Sequence, residues 1–328
     1  MIHVARPGML TTVQDRGRSG FQKFGVVVGG SADPFAARVA NLLVGNNHAA
    51  AVIEMAFAGP ALHFDQDMLV AWCGADFDAT SNDRPLPKNR PVLVAKGSTI
   101  DFKGTRRGAM AWLAVAGGIT VPTVLGSRST DSGAHIGGTG GRPLVVGDSL
   151  PTGDPSEWAS GMLKMLRTSG RDASWSLVPE SLGKPNGRGM LRIVRGPEWE
   201  WFTPSARERF TTAIYGVGKE SNRMGVRLEG PAIALERPRE MASSTVHHGV
   251  IQIPPSGQPI VLGADRQTLG GYPRISVVAT ADLGRLAQLR PGEPVRFREI
   301  PVAVAHALLV ERERDLSIAA THLSAPRL

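Results

Sequence analysis

The stretch Gln252-Ile253-Pro254-Pro255-Ser256-Gly257-Gln258-Pro259-Ile260-Val261-Leu262, continuing as Gly263-Ala264-Asp265-Arg266-Gln267-Thr268-Leu269-Gly270-Gly271-Tyr272-Pro273, carries the pattern of the whole chain. A three-residue apolar run, Ile260-Val261-Leu262, is closed off by Pro254-Pro255 and Gly257 before it and by Gly270-Gly271 and Pro273 after it. Runs too short for a helix and bounded by Gly and Pro read as strands.

The same pattern recurs along the sequence. Strands are expected at Ile2–Val4, Ala51–Met55, Ala61–Phe64, Met68–Trp72, Val92–Val94, Thr99–Phe102, Ala109–Val115, Arg192–Val194, Val226–Leu228, Val250–Ile253, Ile260–Leu262, Ile275–Val278 and Val295–Phe297. Glycine (39) and proline (24) are too frequent in 328 residues for a helical bundle, and 42% hydrophobic residues exclude a disordered chain. The expectation is a mostly-β fold with a few short helices. Asp33 caps the first of these, with Pro34 at its first position and Gly45 as its stop. Thr203-Pro204 opens a second toward Phe210, Ala281-Asp282 a third toward Leu289, and Val302–Leu316 a fourth.

Two echoes suggest duplicated β units. Glu54–Leu62 is matched by Arg227–Ile233, and Val94–Phe102 by Leu289–Phe297; each is a Gly-containing turn leading into a strand. The layout that follows is an N-terminal β unit over 1–105, a middle segment over 106–188, a C-terminal β unit over 189–300 and a tail over 301–328. The middle segment holds a Gly-rich loop and a linker at Pro151–Arg188.

The net charge is +8, but it is scattered rather than gathered into basic runs, and aromatics are only 5%. That disfavours nucleic acid and favours small anionic ligands or acidic partners. The single cysteine, Cys73, lies in an apolar run and reads as a buried thiol. With no apolar leader at the N-terminus and no stretch long enough to span a bilayer, a cytoplasmic protein is expected. His247-His248 are adjacent and point to opposite faces of a strand, so no metal site is expected.

Four motifs carry candidate chemistry. In the opening stretch, Asp265 can move a proton, Arg266 can hold a carboxylate or phosphate, and Gln252, Gln267 and Tyr272 can position a ligand. Gly270-Gly271 would admit close backbone approach. The alternative there is a turn in which Asp265 and Arg266 bond each other. The second motif, Gly126-Ser127-Arg128-Ser129-Thr130-Asp131, precedes Gly137-Gly138-Thr139-Gly140-Gly141; Arg128, Ser129 and Asp131 suit an anion, or the segment is a flexible hairpin loop. It lacks the strand–loop–helix context and the Gly-Lys-Ser/Thr ending of nucleotide loops. The third holds Asp15 and Arg16 beside Gly17, and the fourth, Ser221-Asn222-Arg223-Met224-Gly225, holds Arg223.

Taken in order, Pro7–Arg18, Ala40–Asn46, Leu113–Ile119, Leu125–Asp131 and Ile251–Pro273 resemble the biotin-dependent carboxyltransferase family. That family includes allophanate hydrolase subunit 2, the C subunit of bacterial 5-oxoprolinase and a sporulation antikinase protein, and it is similar to a module of urea carboxylase. The resemblance implies two cyclophilin-like β-barrel units. It also implies a homologous small partner, resembling allophanate hydrolase subunit 1 or the B subunit of 5-oxoprolinase, and a lactam-utilisation subunit. The activity it implies is ATP-dependent opening of 5-oxoproline to glutamate, with ATP as co-substrate. Alternatives are a carboxyltransferase acting on urea-type amides, and a non-catalytic antikinase-type binding protein. No Met-Lys-Met biotin-attachment tripeptide is present, so biotin, if used, rides on a separate carrier.

Overall fold

The computed structural model describes residues 1–177 and 189–324. They divide into two compact units: 1–18, 29–177 and 315–324 form the first, and 19–28 and 189–314 the second.

The first unit is a nine-stranded sheet. Its strands are β1 (Ile2–Arg6), β2 (Leu10–Gln14), β3 (Val52–Ala56), β4 (Ala61–Phe64), β5 (Met68–Ser81), β6 (Arg84–Pro85), β7 (Val92–Val94), β8 (Thr99–Val115) and β9 (Ser149–Leu150). The order is β2-β3-β8-β4-β1-β9, with β5 pairing β8 and carrying β6 and β7. Strand β8 organises the sheet. On one side Thr99–Asp101 pair with β4 and Met110–Leu113 with β3, while β5 runs along the other from Ser81↔Ile100 to Val70↔Val115. The sequence pattern predicts two separate strands where β8 runs unbroken, because Lys103, Arg106 and Arg107 interrupt its apolar run. The strand passes through residues 105 and 106, so the middle segment continues the first sheet. Three register shifts between Gly74 and Ala79 bend β5 against it. Gly74 makes the bend possible: its φ is +111°, and a Cβ there would lie 2.5 Å from the Met110 carbonyl oxygen.

The first six residues of β5 are all buried because both faces of the strand are covered. Met68, Val70 and Trp72 enter the sheet core, and helix α1 (Pro34–Leu43) packs on β5 and β8. Asp33 caps α1 by accepting from the backbone N–H groups of Phe35 (3.0 Å) and Ala36 (3.1 Å), as its sequence anticipates. Burial pushes the Cys73 thiol far up, so it stays protonated and unreactive.

The expected linker contains a helix, α2 (Glu157–Ser169), capped by Ser156. Ala159, Met162 and Leu166 form its buried stripe. Half-buried Trp158, Leu163 and Met165 widen that stripe, but Gly161 and the polar ends of the helix weaken its pattern in the sequence. Part of the expected linker, 178–188, lies outside the described residues.

The second unit is a closed barrel in the order β10-β17-β14-β15-β12-β11-β18. Its strands are β10 (Met190–Arg195), β11 (Tyr215–Val217), β12 (Gly225–Glu229), β14 (Val250–Gln252), β15 (Ile260–Leu262), β17 (Arg274–Val278) and β18 (Pro294–Glu299); β13 (Ser244–Thr245) and β16 (Leu269–Gly270) pair outside it. The parallel pair β10–β18 closes the ring, and all other pairs are antiparallel. Closure leaves no unpaired barrel edge. Alternation fills the interior with Leu191, Ile193, Tyr215, Val217, Leu228, Ile251, Val261, Ile275, Val295 and Phe297. Helix α3 (Pro204–Thr212), capped by Thr203, inserts Phe210 into this core. Helix α4 (Leu283–Ala287) is short, and α5 (Val302–Ser324) extends well beyond the expected Leu316.

The mostly-β expectation therefore holds, with closure found in the second unit and a half-barrel sheet in the first. Of the echoed motifs, Val94–Phe102 and Leu289–Phe297 both turn into strands, β8 and β18. Glu54–Leu62 joins β3 to β4, whereas Arg227–Ile233 leaves β12 for a loop.

Candidate functional site

In the first unit, two of the four motifs close on each other. The Asp15 carboxylate accepts from Ser127 Oγ (2.5 Å), Ser129 Oγ (2.7 Å) and the N–H groups of Gly17 (2.8 Å) and Arg128 (2.6 Å). Ser129 Oγ in turn accepts from the Asp15 N–H at 2.9 Å. Fully buried Arg18 donates to the Ser129 carbonyl, and Arg128 Nε donates to Val121 O at 2.9 Å. Asp131 Oδ1 takes the N–H groups of Gly133 and Ala134, both at 3.0 Å, and Arg16 is exposed. These residues clasp one loop to another. The glycine run serves the same packing: a Cβ on Gly137 would overlap Arg18 and Ser129 O, one on Gly138 would overlap Thr130 Oγ1, and one on Gly141 would overlap the His135 backbone. The close approaches of Gly137, Gly138 and Gly141 are thus to their own chain.

The other two motifs meet at one end of the barrel, on the loop from β15 to β17. Asp265 forms a bidentate pair with Arg223, 42 positions earlier, at 2.7 Å (Nε–Oδ2) and 2.9 Å (Nη2–Oδ1). Its N–H also donates to Arg223 O at 3.0 Å. Asp265 and Arg266 do not bond each other. Arg266 is only 8% exposed, and its Nη1 reaches the carbonyls of Ala264 (3.2 Å) and Gly263 (3.4 Å). Gln252, buried in β14, donates Nε2 to Tyr272 O at 3.1 Å, and Gly270 lies so close to that amide that a Cβ would overlap it. Gln267, Gly271 and Tyr272 are exposed. Beyond the loop, Arg274 is clamped by Glu198 at 2.7 and 2.8 Å and holds Thr245 O at 3.1 Å, which fixes where the loop returns to the barrel.

The structure adds His248, a half-buried ring on the turn before β14, within electrostatic reach of Arg266 and Arg223. In the sequence its adjacency to His247 marks the pair only as a poor metal site. Burial of the ring pushes His248 down to about 3, and Arg266, Arg223 and His247 push in the same direction. The ring is neutral at pH 7. A histidine in the unfolded chain titrates near 6.5. As pH falls from 6.5 toward 3, the unfolded chain therefore takes up a proton that the folded chain refuses, and stability drops across that window. Urea midpoints followed from neutral pH into this range fall more steeply for the wild-type chain than for His248→Gln; parallel profiles would contradict a ring held neutral. Among the described residues, no group of three His, Cys, Asp or Glu could hold a metal ion, and no helix is long and apolar enough to cross a membrane.

Residues 24–299 match the family model described as carboxyltransferase domain, subdomain A and B. The chain belongs to this carboxyltransferase family. It is similar to proteins of at least two kinds. The C subunit of 5-oxoprolinase from Escherichia coli (strain K12) is 37% identical over 300 residues, covering 90% of each chain. The protein of the same name from Haemophilus influenzae is 34% identical over 95% of this chain and 96% of the relative. Among solved structures, the urea amidolyase of K. lactis superposes with a TM-score of 0.87 at 30% identity. That match covers 97% of this chain but only 20% of the larger protein.

Proposed function

We propose that this chain is the C-type subunit of a 5-oxoprolinase, which with its partners opens the lactam of 5-oxoproline to glutamate at the expense of ATP. One observation carries this reading: 37% and 34% identity, over nearly the full length, with two chains named as C subunits of 5-oxoprolinase. A lactam carbonyl is a poor electrophile, and ATP supplies its activation. In this reading ATP is bound on another subunit. The partners are a homologous small protein resembling the B subunit of 5-oxoprolinase and a lactam-utilisation subunit, working in the cytoplasm.

The barrel-end loop is the site proposed for the substrate. Arg266 holds its anionic group, exposed Gln267 offers an amide to the lactam and Gly271 allows close backbone approach, while buried Gln252 supports the loop through its bond to Tyr272 O. Asp265, held by Arg223 in a bidentate pair, serves to fix that guanidinium rather than to carry a proton.

A second reading, carboxyl transfer to a urea-type amide with biotin on a separate carrier, draws on the urea amidolyase and urea carboxylase structures. One experiment separates the two. The chain is reconstituted with the products of neighbouring genes, and glutamate release from 5-oxoproline is followed with and without ATP and avidin. ATP-dependent release insensitive to avidin is expected. Avidin inhibition, or no release with all subunits folded, would overturn the first reading.

A further inference from the structure

A row of four polar side chains crosses the solvent face of the first sheet. Strand pairing sets Ser149 of β9 opposite His3 of β1, His3 opposite His63 of β4, and His63 opposite Thr99 of β8. Residues paired in this way project from the same face of a sheet. The chain neighbours of the two histidines, Ile2, Val4, Leu62 and Phe64, point the other way and are at most 2% exposed. The row therefore stands on strands fixed by the core, while both imidazoles are only half-buried.

The two ends of the row hold the rings. His3 Nδ1 lies 2.9 Å from Ser149 Oγ, and His63 Nδ1 lies 3.3 Å from Thr99 Oγ1. A hydroxyl that accepts from Nδ1–H places the lone pair of the ring on Nε2. Neither Nε2 has a hydrogen-bond partner among the described residues: Asp65 Oδ2 stands 3.7 Å from that of His3, too far for a hydrogen bond, and Asp65 accepts instead from the Met1 ammonium. A histidine held at one nitrogen by a neighbour, with the other nitrogen open, is arranged as a metal ligand is. The ring centroids are 6.5 Å apart and the planes 32° from parallel. Two imidazoles sharing one ion at metal–nitrogen distances of about 2.0–2.1 Å have centroids roughly 5 Å apart, so small side-chain rotations bring these rings into range.

We propose that His3 and His63 form a two-histidine chelate, through Nε2 of each ring, for a first-row divalent ion such as zinc, with water in the remaining positions. Ser149 and Thr99 orient the rings from behind. With two protein ligands the site is open and its ion exchanges readily, unlike the closed four-ligand sites of structural zinc. No third His, Cys, Asp or Glu among the described residues completes it. A bound ion ties β1 to β4 and stabilises the first sheet by binding the folded chain alone. Nothing in this site depends on the 5-oxoprolinase reading.

The test is calorimetric titration of the full chain, without a histidine tag and in chelator-free buffer, with zinc chloride. Saturable binding of one ion per chain is expected. His3→Gln and His63→Gln each abolish it, and Ser149→Ala, which frees the His3 ring, lowers the affinity by roughly tenfold. Both histidines lie on the solvent face, so urea midpoints of the zinc-free variants stay at the wild-type value. Nitrogen-15 NMR of the wild type needs no variant: of the eight histidines, the ring signals of His3 and His63 shift together on adding zinc, with Nε2 as the bound nitrogen and Nδ1 protonated on both. Absence of saturable binding, or zinc shifting only one of the two rings, would overturn the site. So would His63→Gln binding zinc as well as the wild type, the result expected if the terminal amine and His3 alone hold the ion.

Discussion

Phe210→Ala lowers the stability of the chain by about 3–5 kcal/mol, read from urea unfolding, the cost typical of emptying a large buried aromatic site. Phe210 is fully buried and meets three rings: Phe297 at 4.6 Å between centroids, Tyr215 at 6.3 Å and Trp199 at 6.4 Å. Two of those rings lie on adjacent strands, β11 and β18, so the cavity would open at the closure of the barrel. Helix α3 is otherwise polar, and only Ala206 joins Phe210 in its buried stripe. Without that anchor the helix has little left to bury, and hydrogen exchange in α3 should rise well before exchange in β14 and β17. A loss below about 1 kcal/mol would mean that the site collapses around the missing ring, or that α3 contributes little to the barrel.

Asp282→Ala costs about 3–5 kcal/mol by a different route, the stranding of a partly buried cation. Asp282 is 0% exposed and accepts from the Arg192 N–H at 2.8 Å, its Nε at 2.9 Å and its Nη2 at 2.5 Å. Arg285 approaches the same carboxylate at 3.5 Å. The pair fastens the 3-10 turn Thr280–Asp282 to β10, the strand at which the parallel pair closes the barrel. Removing the acid leaves a backbone donor and a guanidinium without their acceptor. Asp282→Asn keeps the shape and some of the hydrogen bonding, and should recover part of the loss. The double variant Asp282→Ala/Arg192→Met, which removes both charges, is expected to be more stable than Asp282→Ala alone; additive losses would show that the pair is not coupled.

Local rules were readable without the fold. Asp33-Pro34 and Thr203-Pro204 announce α1 and α3 because a cap acts on backbone groups two or three residues away. Most strands appear as short apolar runs between Gly and Pro. Where local pattern and tertiary context part, the reading stops short. Lys103, Arg106 and Arg107 sit on a strand that the sheet holds together through β5, so β8 looks like two pieces. Helix α2 fully buries only three side chains and sits between Gly- and Pro-containing segments that read as linker. The opening of the α4 segment at Ala281-Asp282 was visible, but Asp282 makes no side-chain cap and turns to Arg192 instead.

The candidate site divides the same way. The sequence by itself marked where charge sits in turns: Asp15, Arg128, Asp131, Arg223, Asp265 and Arg266 all lie in Gly-containing turns, where a charged side chain has no place in a strand pattern. Only the tertiary structure decided who partners whom. It pairs Asp265 with Arg223 across 42 positions, turns Asp15 inward onto Ser127 and Ser129, and leaves Arg266 buried beside a neutral His248. The reason is that a side chain's identity and local backbone are properties of a few neighbouring residues. Its charge partner and its access to water depend on segments distant in sequence that are brought together only when the barrel closes.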